Sequence, residues 1–112
     1  MGYDITIKTS TDKDANAVVI TGEIMDEPKT GITRKGTKVG ELRILVREAM
    51  NNGGTYEENV KVVGWSSMAE AVTQYKKGDR VCVVGKIHRG VFPATGQPDI
   101  HIIAYSIRHL YV

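Results

Sequence analysis

A chain of 112 residues holds one domain with one small core and is too short for two. Lys and Arg total 15 against 13 Asp and Glu, a net charge of +2 that by itself singles out no class of ligand. A single Cys excludes an internal disulfide, no signal peptide opens the chain and no apolar run reaches membrane-spanning length, so a soluble, cytoplasmic protein in a reducing compartment is expected.

Tyr3-Asp4-Ile5-Thr6-Ile7-Lys8 alternates and then gives way to a polar stretch, so residues 1–15 are read as an extension with a short extra strand and 16–112 as the domain proper. Asn16 to Met25 sets Val18, Ile20, Gly22 and Ile24 against Val19, Thr21, Glu23 and Met25, which predicts a first barrel strand bent at its glycine. Asp26 to Lys38 reads as a long loop around Pro28, Gly31 and Gly36, locally positive through Lys29, Arg34, Lys35 and Lys38. Val39 to Arg47 is the second strand, with Leu42, Ile44 and Val46 inward and Arg43, Leu45 and Arg47 outward. Two arginines flanking a leucine suit a surface that meets both phosphates and bases. Glu48 to Thr55, with Asn51-Asn52-Gly53-Gly54, reads as a hairpin connection.

Asn59 to Ala69 is the passage around which the chain is organised. Val60 and Val62 point to one face and Lys61, Val63 and Trp65, the only tryptophan, to the other. Ser67-Met68-Ala69-Glu70 has the pattern of a capping box, predicting a helix of about ten residues stopped by Lys76-Lys77-Gly78-Asp79. Arg80 to Arg89 is a fourth strand, in which Cys82 reads as a small, inert core residue. Gly90 to Pro98 is a second exposed loop carrying Phe92, the only phenylalanine, and Asp99 to Tyr111 is the fifth strand. Strand, short helix and valine-rich strand form the central passage of an oligonucleotide-binding barrel. The expected fold is therefore mainly β: a single OB-fold, a five-stranded Greek-key barrel with one short α-helix between strands 3 and 4.

Nothing in the pattern supports catalysis, a cofactor or a metal. His88, His101 and His109 lack helical i, i+4 spacing and paired cysteines. Gly78 and Gly85 straddle a strand and make no phosphate loop, and no Ser-His-Asp order sits at a nucleophile elbow.

Asn16-Ala17-Val18-Val19-Ile20-Thr21-Gly22-Glu23-Ile24 with Asp26-Glu27-Pro28 and Gly36-Thr37, then Lys61-Val62-Val63, Trp65, Met68-Ala69-Glu70 and Tyr75-Lys76-Lys77-Gly78, resembles the bacterial single-stranded DNA-binding proteins. The resemblance continues through Val81, Gly85-Lys86-Ile87, Phe92, Thr95-Gly96-Gln97 and Asp99. It implies a non-enzymatic homo-oligomer, a tetramer by the family's habit with a dimer as the alternative, that coats single-stranded DNA without reading its sequence. It puts stacking aromatics at Trp65 and Phe92 and a basic contact at Lys61, to which strand parity adds Arg43, Arg47, Lys86 and Arg89 and the loop adds Arg34 and Lys35. Replication, repair and recombination are the settings it implies.

The departures are equally specific. Asn59 stands where the family usually has tryptophan, and Met50 ends the second strand in place of an aromatic. The family's acidic, aromatic-ended tail has no counterpart after Val112, which points to a tailless relative of phage, mobile-element or accessory type, without tail-mediated partners. The alternative is a protein-interaction module of the primosomal kind on the same fold, with weak nucleic-acid binding.

Overall fold

Alternating apolar residues make β1 (Val18–Ile24), whose even positions turn inward and leave Ile24 fully buried. The structure, a computed structural model, describes residues 14–91 and 96–111. The predicted extension, apart from its last two residues, and Phe92 lie outside the described residues. The remaining elements are β2 (Lys29–Ile32), β3 (Lys38–Ala49), β4 (Thr55–Trp65), α1 (Ser67–Thr73), β5 (Arg80–Val91) and β6 (Pro98–His109).

The strands run in the order β1-β5-β6-β4-β3-β2, and a further β1–β3 pairing at Glu23 and Ile24 closes five of them into a barrel. Every pairing is antiparallel except β4 with β6, in register at Val62 with Ile102 and Val63 with Ile103. This is the expected OB-fold, with α1 between its third and fourth barrel strands. The inward positions fill the centre with Ile24, Leu42, Ile44, Val62, Val81, Val83, Ile102, Ala104 and Ile107, and the helix adds Val72. Each fully buried aliphatic side chain contributes about 1.5–3 kcal/mol relative to exposure.

Two paired glycines seat the helix. Gly40 and Gly64 face each other across β3 and β4. A Cβ on Gly64 would stand 2.5 Å from the Met68 carbonyl oxygen, and one on Gly40 would stand 2.7 Å from that of Ala69. Only bare backbone lets α1 lie so close to the sheet. The Asn16 side chain lengthens the β1–β5 seam by one rung, its amide donating to the Ile87 carbonyl at 2.9 Å and its oxygen accepting from the Ile87 N–H at 3.0 Å.

The structure corrects four expectations. The segment predicted as a loop over 26–38 contains β2, an exposed four-residue strand pairing with Lys38–Glu41, so backbone hydrogen bonds rather than burial hold it. The capping box does not form, and the helix is seven residues long. Ser66, not Ser67, precedes it, with φ of 56° and no side-chain cap, and Glu70 turns instead to Lys38 at 2.9 Å. The hairpin ladder of β3 and β4 runs on to Ala49 and Thr55, leaving only 50–54 as the turn. Cys82 is half-buried on the outside, across from Thr21 and Arg108, because the core takes Val81 and Val83 on either side.

Candidate nucleic-acid interface

The outward positions of β3, β4, β6 and β5 make one continuous strand face. Cross-strand register sets Arg43 opposite Lys61, Glu41 opposite Val63, and Lys86 opposite Ile103. Val63, itself in register with Ile103 on its other side, is only 5% exposed although parity turns it outward. Two of the predicted cations, Arg43 and Lys61, are thus brought together on neighbouring strands, and Lys86 faces the same way from β5, with β6 between it and β4.

Trp65 closes this face at one end, paired with Val39 and 41% exposed. It is held there by the chain's sharp exit into α1: the Ser66 N–H donates to the Lys38 carbonyl at 2.9 Å while Ser66 takes its left-handed conformation. Arg34 and Lys35 lie at the same end of β3, in the turn that the Thr33 and Thr37 hydrogen bonds close. Arg47 lies at the other end between Glu23 and Glu57, each 4.0 Å away. Arg89 is in register with Ile100, on the opposite side of the β5–β6 ribbon from Lys86. Asn59, at the position without its tryptophan, accepts a 3.4 Å hydrogen bond from the Arg43 guanidinium.

The centre of the face holds a polar cluster that was not anticipated. Lys61 Nζ lies 3.3 Å from Asp99 Oδ2 and 3.9 Å from Glu41 Oε2, with the lysine side chain 15% exposed. His101 Nδ1 is 3.5 Å from the same Asp99 oxygen but makes no hydrogen bond, and its ring lies 5.2 Å from that of His88. Burial pushes the His101 imidazole below its ordinary value; Lys61 and His88 push the same way and Asp99 opposes them. The signal was present in the alternation Asp99-Ile100-His101, but only the β4–β6 pairing brings these groups to Lys61. Among the described residues no three His, Cys, Asp or Glu side chains are arranged to hold a metal ion, and no helix is long and apolar enough to cross a membrane.

A surface that presents an aromatic side chain beside cations on a curved sheet can stack a flat base and pair with an anionic backbone. Comparison with known proteins agrees in kind. Residues 15–100 match the single-strand binding protein family. The chain is 29% identical over 72 residues to the single-stranded DNA-binding protein of Thermus thermophilus, a stretch that is 64% of this chain and 27% of that protein. Among solved structures, a Plasmodium falciparum SSB in complex with single-stranded DNA superposes with a TM-score of 0.76 at 23% identity, covering 91% of this chain and all of that one. A deletion mutant of the single-stranded DNA binding protein from Thermus aquaticus gives 0.71 at 19% identity, over 94% of this chain and 45% of that one. These structural likenesses are ones of fold, and the chain spans about a quarter of the length of the Thermus thermophilus relative.

Proposed function

The chain belongs to the single-strand binding protein family, a family of binding proteins rather than enzymes, and on that premise we propose that its strand face binds single-stranded DNA without reading sequence. Bases stack on aromatic side chains, each stack worth about 1–3 kcal/mol, while the phosphates follow the cations. The observation that carries this reading is the exposed Trp65 at the end of a face on which three different strands set Arg43, Lys61 and Lys86. Arg34 and Lys35 extend the path past the tryptophan, Phe92 adds a second stacking group by its family position, and Arg47 and Arg89 are outlying cations. The role that follows is the protection of single strands during replication, recombination or repair in the cytoplasm, by a homo-oligomer. Val19, Val84 and Tyr105, an exposed apolar group on β1, β5 and β6, suit contact with a second copy.

A specific observation favours a second reading. The family's usual tryptophan position holds Asn59, already engaged by Arg43, which suits a protein-interaction module with weak nucleic-acid affinity. One titration separates the two, because Trp65 is the only tryptophan. On the first reading oligo-dT should quench its emission, duplex DNA should not, and the midpoint should weaken as salt rises. No response to oligo-dT at low salt, with no binding in a label-free assay, abandons the first reading for the second. The mass of the same samples in solution reads the oligomer directly, and a monomer rules that part out.

A further inference from the structure

Lys61 is set deep in the strand face, its side chain 15% exposed, and it is not presented alone. Its ammonium stands between two carboxylates from the strands on either side, Asp99 of β6 at 3.3 Å and Glu41 of β3 at 3.9 Å. Two carboxylates beside one ammonium offset its charge at this point of the face. The Asp99 side chain is 18% exposed and that of Glu41 35%, so water screens the Asp99 contact less. A phosphate reaching this spot must displace a carboxylate or be repelled by it.

We propose that Asp99, seconded by Glu41, is an affinity-limiting residue of this face: it engages the Lys61 ammonium and competes with the phosphates for it, so that single strands are held more weakly than the number of cations implies. The inference rests on the reading of the face given under Proposed function. Asp99 has the principal part because it is closer to Lys61 and more buried than Glu41. Asn in its place keeps the shape and an oxygen that can still accept from Lys61, while removing the charge that competes with phosphate.

The test is a double-mutant cycle of Asp99→Asn and Lys61→Gln, read by oligo-dT binding across a salt series. One further neutralised phosphate on a single strand steepens the slope of log K against log salt by about 0.7, which at roughly 50 mM salt corresponds to about eightfold tighter binding. Asp99→Asn should show both changes in the wild-type background and neither beside Lys61→Gln. The melting temperature of each variant is checked, and if Lys61→Gln unfolds, Lys61→Met, which keeps the apolar stem, takes its place. Unchanged or weaker binding by Asp99→Asn overturns the inference, as does an equal gain with Lys61 removed, which is a general charge effect. Wild-type protein that fails to bind oligo-dT at low salt overturns the reading of the face and this inference with it.

Discussion

Gly64→Ala tests the way in which the barrel carries its helix. The new Cβ would meet the Met68 carbonyl oxygen at 2.5 Å, its carbon at 2.8 Å and the Met68 Cβ at 3.1 Å, so no change of rotamer relieves the overlap. The first turn of α1 must back away by about 0.9 Å to bring the 2.5 Å approach out to an ordinary contact at 3.4 Å, loosening the fit of Ala69 and Val72 over Gly40. Overpacking of this kind costs about 1–3 kcal/mol, offset by about 0.4–1 kcal/mol from the less flexible unfolded chain. Taking the middle of each range, the net loss is about 1.3 kcal/mol, or roughly 5 °C of melting temperature for a domain of this size. Gly31→Ala is the control: its Cβ meets only Val39 Cγ1, at 3.7 Å, and its stability should hold or rise. Circular-dichroism melts of the three proteins decide the matter. A Gly64→Ala protein that melts at or above wild type would refute the close seating of α1 on the paired glycines.

The depressed His101 sets a pH dependence of stability. Its unfolded value lies near 6.5 and its folded value below that, so the unfolded chain takes up the proton first, and stability that is complete above about pH 6.5 declines as the pH falls towards the folded value. Urea midpoints between about pH 5 and 8 should fall on the acid side for wild type and less so for His101→Gln; equal slopes would remove His101 as the cause. Tyr75→Phe removes the 3.0 Å hydrogen bond from the Tyr75 hydroxyl to the Ile107 carbonyl and should cost about 0.5–1.5 kcal/mol in a urea melt, with oligo-dT binding unaltered. A loss of binding without a loss of stability would place Tyr75 in the interface instead.

β1, β3 and β4 were legible because burial writes a period of two into them: Ile24, Leu42, Ile44 and Val62 each stand where alternation predicts an inward side chain, whereas in β5 the core takes Val81 and Val83 and not Cys82 between them. β2 carries no such mark. All four of its residues are exposed, and its existence depends on a hydrogen-bonding partner that local sequence does not name. The capping pattern failed for a similar reason, since Lys38, 32 residues away, competes for the Glu70 carboxylate and wins it. At the site, parity found the outward cations of β3 and β4. It could not find what surrounds Lys61, because Asp99 is 38 residues further on and only strand order makes the two neighbours. Arg89, added by strand parity, is a correction: three residues beyond Lys86, it has the opposite parity and falls on the other side of its ribbon.

The rung that Asn16 adds to the seam between β1 and β5 spans 71 residues of chain. A barrel closed by so distant a pairing is one of high contact order, and such a chain pays its loop entropy before the closing contacts reward it. β1 is synthesised long before β5 and until then has only its short pairing with β3 to rest on. The barrel therefore completes late, as one cooperative event, and its stability is not divisible between an early half and a late half. The two-point grip of Asn16 on Ile87 also acts as a registration mark, for a slip of β1 by one residue would break both bonds and turn Val18, Ile20 and Ile24 away from the core together.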